Sequence, residues 1–350
     1  MNKSEDSKVR PEAPLRVLLI AASQRRQYNC PGIDGKARSL LLRMREQLPK
    51  HWEIDVEDIS NVYGRQKIQS CNACVSTSMA LCVWPCNCYE KNHDKEPDLM
   101  WDLDFYSRLD HADAWAFIAP TNWYAPTSNL KLFFDRLVCA NGGNPIEARI
   151  DHKNPELAMK FDKTEEFKEL SQNHLEGRTA AFFSYGDAGG DEIGSDGIPK
   201  LIRHKEYFDA KKEIFDVNTR DAYAPLVWQC RYGGIEVPDP LWRYAETGKG
   251  KKYSENQAED MIDDRAFLNS FDTWVTQFSE FVSQKGKVIP SAFSARDKVW
   301  PSHRWADAKL GLRTAKMMLG GGPADSSPAK QDDLHLNQDR TFTPKKSLND

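Results

Sequence analysis

Residues 112–137 constrain what this chain can fold into more than any other stretch. Ala114, Trp115, Ala116, Phe117, Ile118 and Ala119 follow one another without polar alternation. An apolar run of that length suits a strand buried on both faces, as in a parallel sheet. Pro120 has no N–H for a ladder and is expected to stop the strand. Leu130, Phe133, Phe134 and Leu137 then recur at helical spacing, with Thr127 or Ser128 as the cap and Pro126 just before or in the first turn. The segment reads as strand, aromatic loop, helix. Ligands of open α/β sheets bind beyond the carboxyl ends of the strands. The loop at that place offers Trp123 and Tyr124 for packing a flat ring, polar groups for its edges, and a helix N-terminus that favours negative charge.

The rest of the chain repeats the alternation. Residues 15–22 and 178–185 are further runs of the buried type, residues 52–59 alternate like an edge strand, and residues 235–238 read as a short last strand. Helical spacing covers 36–48, 98–109, 128–140, 221–232 and, with Phe267, Phe271, Trp274, Phe278 and Val282 inward, 255–285. Five strands separated by helices predict an α/β, flavodoxin-like, doubly wound parallel sheet of order 2-1-3-4-5 with helices on both faces. Residues 1–14 read as a flexible arm and 15–286 as one ligand-binding domain, with a polar surface insertion at about 141–176. The extension 287–350 is expected to be largely disordered, since its end is poor in apolar residues.

That strand order brings three loops together: 23–36, 120–128 and 184–190. The first opens a helix, where backbone amides attract a phosphate. It carries Ser23, Arg25, Lys36 and Arg38 but matches neither the Walker pattern nor the dinucleotide fingerprint. The third, with Gly186, Gly189 and Gly190, allows close backbone approach to a ligand.

Pro120-Thr121-Asn122-Trp123-Tyr124, followed by the helix that holds Leu130, Lys131, Phe133, Asp135 and Arg136, closely resembles a segment of the flavodoxin-like NAD(P)H-dependent FMN reductases and related flavoproteins. In that family this turn and helix hold the flavin ring; the aromatic order here is Trp-Tyr. The first loop resembles the family's phosphate loop but is several residues longer, with Ala22 where a glycine usually stands. The third resembles its Gly-x-x-Gly-Gly turn. The resemblance spans roughly residues 15–237. It implies FMN as cofactor and NAD(P)H as co-substrate, with hydride passed through the flavin to a quinone, a flavin or another small acceptor. The flavin contacts it implies are Ser23, Arg25, Lys36, Ala37, Arg38 and Ser39 in the first loop and Pro120, Thr121, Asn122, Trp123 and Tyr124 in the second. In the third they are Ser184, Tyr185, Gly186, Asp187, Gly189 and Gly190. Amides of the 121–124 and 185–189 turns would stabilise charge on the reduced ring, and no catalytic side chain is required. A homodimer or homotetramer is also implied. Two alternatives stand beside this reading: an electron-transfer flavoprotein serving a protein partner, and a metal-binding interaction protein on a scaffold that has lost FMN.

Cys71, Cys74, Cys82, Cys86 and Cys88 crowd one loop. Clustered thiolates suit a metal or an iron–sulfur cluster, and iron–sulfur flavoproteins related to the family carry a compact set here. This sequence has Thr77 at the third position. A cluster or zinc is therefore the minor reading, and reduced structural or redox thiols the major one. Cys30 falls in the first loop, and Cys139 and Cys230 read as core.

The net charge of -4 gives no reason to expect nucleic acid or an anionic membrane as partner. No apolar run approaches the ~20 residues of a membrane span. Residues 15–22 are too short and too far into the chain for a secretory signal. The expected compartment is the cytoplasm, where cysteines stay thiols or ligands.

Overall fold

The computed structural model describes residues 13–25, 35–59, 68–86, 98–123, 125–145, 154–187, 219–247 and 264–295. Strands β1 (Arg16–Ala21), β2 (Glu53–Asp58), β4 (Ala114–Pro120), β6 (Thr179–Asp187) and β7 (Trp242–Thr247) form one sheet in the order β2-β1-β4-β6-β7. All of its pairings are parallel. Numbered within the sheet alone this is 2-1-3-4-5, the flavodoxin-like order expected. A second, two-stranded sheet pairs β3 (Val83–Trp84) with β5 (Asn144–Pro145).

Strand alternation divides the core between two layers. Leu18, Ile20, Trp115, Phe117 and Phe182 face one side. Helices α3 (Phe105–His111), α4 (Ser128–Arg136) and α7 (Ala224–Tyr232) cover it. Val17, Leu19, Ala116, Ile118 and Phe183 face the other side, under α1 (Lys36–Gln47) and α8 (Arg265–Lys285). Rings dominate both layers: Phe117 stacks on Phe182 at 5.2 Å, and Phe183 meets Phe271 edge-on at 4.9 Å. Each fully buried Phe contributes about 1.5–3 kcal/mol of hydrophobic stabilisation.

Several expected boundaries move for local reasons. Pro120 is the last residue of β4 and pairs with Tyr185 rather than stopping the strand before it. The helix expected over 98–109 is two helices, α2 (Leu99–Asp102) and α3, separated at Asp104 with φ 50°. The helix expected from 128 to 140 ends its α part at Arg136 and continues as a 3₁₀ turn, Leu137–Ala140. The last strand is not 235–238. Glu236 makes one bridge to Thr179; Pro238 and a 3₁₀ turn at Asp239–Leu241 interrupt pairing, and the strand proper is β7. The long amphipathic helix begins, among the described residues, at Arg265, capped by Asp264.

Between α4 and β6 the chain forms β5, α5 (Pro155–Phe161) and α6 (Glu165–Leu170). This segment docks on the cysteine loop: the Asn144 amide donates to the Cys82 carbonyl at 2.7 Å, and the Ala80 amide to Asp162 at 2.7 Å. After α8 the chain stays on the core. The Val288 amide donates to Asp113, the Ser294 hydroxyl to Asp110, and Ala295 is buried. The arm 1–12, Cys30, Cys88, Tyr124, Gly189, Gly190 and the extension from 296 onward lie outside the described residues.

Candidate functional site

The carboxyl ends of β1, β4 and β6 are fastened together by side chains from the loops that follow them. The Thr127 hydroxyl caps α4, accepting from the Leu130 amide, and also donates to the Ala22 carbonyl at 2.7 Å. Gln24 reaches Ser128, and Asn129 donates to the Ile59 carbonyl at 2.8 Å, so α4 is tied to the ends of β1 and β2 as well. Tyr223 donates from below to the Pro120 carbonyl at 2.9 Å, and the Thr121 amide donates to the Tyr185 carbonyl at 2.7 Å.

Beyond Thr121 the chain turns back on itself. Asn122 and Ala125 exchange both backbone hydrogen bonds, at 2.9 and 3.0 Å. Trp123 occupies the turn with φ 48° and its side chain is 95% exposed. A left-handed backbone at a bulky residue costs about 1–2 kcal/mol. Trp123 accepts that strain while showing its indole to solvent beside the strand ends. The Thr121 and Asn122 amides, expected to face a bound ring, donate instead to the Tyr185 and Ala125 carbonyls.

The first loop is built for an anion. Helix α1 has Gly35 as its N-cap with no side-chain cap and no acidic residue in the first turn, and Lys36 opens it. A cation at a helix N-terminus opposes the macrodipole, and an anion placed beside it relieves that opposition. Ser23 is buried and its hydroxyl accepts from the Arg25 amide at 3.1 Å. Lys36 extends across the strand ends to Thr247 at 3.3 Å. A Cβ on Gly35 would lie 3.2 Å from the Arg25 carbonyl, so the loop closes tightly on itself here. The Thr121 hydroxyl oxygen and Arg25 Nε are buried without hydrogen-bond partners among the described residues. An uncapped cationic helix end with orphaned polar atoms beside it fits a phosphorylated flavin.

Other expected contacts are spent elsewhere. Arg38 is buried and gives Nε and Nη2 to Asp58 at 2.8 and 2.6 Å, which makes it a clamp between α1 and β2. Ala37 is buried and Ser39 is exposed. The Ser184 hydroxyl donates to the Arg243 carbonyl, and the Tyr185 ring packs on Phe267 in the layer beneath α8. Gly186 is a close-approach position, since a Cβ there would lie 2.9 Å from the Tyr244 hydroxyl. Asp187 pairs its backbone with Thr247. Tyr223, Tyr244 and Thr247 were not expected at the site. The last two sit on β7, which the sequence placed at 235–238.

The cysteine loop lies on the far side of α4. Cys71 and Cys74 are half-buried, Cys82 and Cys86 buried. Burial pushes the Cys71 and Cys82 thiols up. Among the described residues no three of the His, Cys, Asp or Glu side chains are grouped so as to hold a metal ion. A cavity of roughly 500 Å³ lined by Arg231, Ile235, Val237 and Phe281 belongs to the other end of the sheet, where Glu236 bridges to the first residue of β6.

A doubly wound sheet of order 2-1-3-4-5, with an anion-ready β1–α1 loop and an aromatic turn beside it, defines a flavodoxin-like mononucleotide-binding protein. The chain belongs to the NADPH-dependent FMN reductase family, whose model matches residues 15–204. It is an FMN-dependent NAD(P)H oxidoreductase. Solved structures similar to it include an azoreductase from Bacillus anthracis, at 10% identity over 76% of this chain and 100% of that one, with a TM-score of 0.37. An NAD(P)H:quinone oxidoreductase from Methanothermobacter marburgensis is 12% identical over 76% and 98%, with a TM-score of 0.40. RosB with bound 8-demethyl-8-formylriboflavin-5'-phosphate is 12% identical over 96% of this chain and 92% of that one, with a TM-score of 0.37. No curated protein matches the chain. No described helix is long and apolar enough to cross a membrane.

Proposed function

We propose that the protein passes hydride from NAD(P)H through FMN to a flat, aromatic small molecule, a quinone or a second flavin being the simplest. The observation that carries this reading is Trp123, 95% exposed on a strained turn at the carboxyl end of β4. Strained backbone at a site is retained where the side chain's placement matters, and an exposed indole offers a platform for a planar ring.

In this reading the first-turn amides of α1, with Lys36 and Arg25, bind the phosphate of FMN. The Thr121 hydroxyl meets a polar edge of the ring system, Gly186 allows the β6 backbone to approach it, and the Trp123 indole lies over the open face and excludes water there. Bound FMN supplies hydride uptake and release. The protein's own contribution is position and electrostatics, and no side-chain acid or base is assigned.

Nothing among the described residues favours the electron-carrier alternative. We place the protein in the cytoplasm, with residues 15–286 as the FMN domain and 287–350 as an extension. We also propose a homodimer or homotetramer. The α7 face supports an oligomer: Trp228 and Tyr232 are 65% and 63% exposed and stack on each other at 5.1 Å.

Absorption spectroscopy of the purified protein with added FMN, then NADPH under nitrogen, tests the main reading. Flavin bands that bind and then bleach, and return when menadione is added, are the expected outcome. A protein that takes up no FMN, or whose bound flavin NAD(P)H leaves oxidised, overturns it.

A further inference from the structure

One buried hydroxyl on β7 ties the start of α1 to the carboxyl end of β6. Thr247, the last residue of β7, is 1% exposed. Its hydroxyl accepts from Lys36 Nζ at 3.3 Å and donates to the Gly186 carbonyl at 3.4 Å. A hydroxyl has one donor and two acceptor lone pairs, so it can hold both bonds at once. Lys36 is the first residue of α1, and Gly186 is the last but one of β6. A full positive charge is thereby held one hydroxyl away from the strand end that Gly186 leaves open to close approach.

The aromatic turn does not supply the donors expected of it. The Thr121 and Asn122 amides go to the Tyr185 and Ala125 carbonyls. A flavin ring gains negative charge on reduction, and a fixed cation or oriented donor beside it favours the reduced form. Lys36 brings such a charge to β6 from the other side of the sheet ends.

We propose that Thr247 is a positioning residue: it holds the Lys36 ammonium beside the end of β6, where the charge stabilises reduced flavin over oxidised. The proposal rests on the FMN site described above and adds to the part of Lys36 at the phosphate. A lysine stem is flexible and its ammonium is strongly hydrated, so it stays at one place only where a fixed acceptor keeps it. Thr247 is such an acceptor, since it is buried and its own proton is committed to the Gly186 carbonyl. The phosphate carries the same charge in both redox states of the flavin. A contact with it changes FMN affinity but leaves the midpoint potential in place, so the potential reports on the ring.

The test is the midpoint potential of the full-length FMN-loaded protein, measured against redox dyes under nitrogen. In Lys36→Ala, reduced FMN should be favoured over oxidised about tenfold less, which lowers the potential by about 30 mV for a two-electron couple. Thr247→Val keeps the shape and loses both bonds, and should lower the potential as well. Thr247→Ser restores the hydroxyl and should return it to the wild-type value. Adding Thr247→Val to Lys36→Ala should cause no further shift, since no ammonium remains to be placed. A purely structural role for Thr247 predicts the full shift again in that double variant. Thr247→Ala reads the same effect should the Val variant not fold. An unchanged potential in Lys36→Ala or in the Thr247 variants, in protein that still binds FMN and is reduced by NADPH, overturns this proposal and leaves the oxidoreductase reading standing. Wild-type protein that takes up no FMN overturns both.

Discussion

The Thr127 hydroxyl joins the end of β1 to the start of α4, which is distant in sequence: it donates to the Ala22 carbonyl at 2.7 Å while capping α4 through the Leu130 amide. One side chain thus sets how the aromatic turn stands relative to the phosphate loop. Thr127→Val keeps the shape and removes both bonds, leaving a buried carbonyl unsatisfied. The expected loss is about 1–3 kcal/mol in urea unfolding. FMN affinity should fall with it, and Thr127→Ser should restore most of both. Unchanged FMN affinity in the Val variant would show that the two loops are held by other ties.

Lys36 is a cation at a helix N-terminus that has no side-chain cap. It opposes the macrodipole but also donates to Thr247 at 3.3 Å, so Lys36→Ala should change the stability of the apoprotein by under about 1 kcal/mol. FMN should bind about tenfold more weakly, a change of about 1.4 kcal/mol. Riboflavin, which lacks the phosphate, should bind both forms equally. Fluorescence titration of the two flavins reads the difference directly.

Trp123 pays for its position in backbone strain. Trp123→Gly removes the φ 48° penalty and the platform together. Its melting temperature should rise, by up to the equivalent of about 1 kcal/mol. KM for a quinone acceptor should increase several-fold, with the rate of flavin reduction by NADPH little changed. An unaltered KM would remove Trp123 from the acceptor site.

The segment after α8 rests on two carboxylates. Asp113 accepts from the Arg16 and Val288 amides, and Asp110, 0% exposed, holds Arg178 at 2.6 Å as well as Ser294. Asp110→Ala leaves the Arg178 charge buried and uncompensated, and should cost about 3–5 kcal/mol. Ending the chain at residue 286 should cost less, since it removes the Ser294 and Val288 bonds but leaves that ion pair. Chemical denaturation of the two variants ranks them.

Arg43 and Asp272 clamp α1 to α8 through two hydrogen bonds, at 2.7 and 2.6 Å. The hydrogen bonds from Arg43 hold the Asp272 carboxyl below its usual range. The folded state therefore binds this proton less readily than the unfolded chain. The clamp's contribution is full above pH 3.8 and declines as pH falls through the lower folded value. Both side chains are partly exposed, so the contribution is under about 1 kcal/mol. Asp272→Asn should remove that acid dependence, measured as the difference in unfolding midpoint between pH 6 and pH 3.

The local residues determine much of this protein. Uninterrupted apolar runs of strand length suit strands covered on both sides, so β1, β4 and β6 were legible, and the alternation of strands with helices pointed to the flavodoxin-like order. The helix spacing of Leu130, Phe133 and Phe134, the cap at Thr127 and the aromatic turn follow from backbone geometry over a few residues. What the sequence could not give depends on partners far along the chain. Arg38 looks like any phosphate-loop cation until Asp58 is brought within 2.6 Å of it. Ser184 and Tyr185 look like ligand contacts until the sheet fixes which face each one meets. β7 was hidden because Trp242, Arg243 and Tyr244 are only partly buried and lack the apolar run of an interior strand, while Ile235 and Val237 carry a strand-like pattern that two prolines cut short.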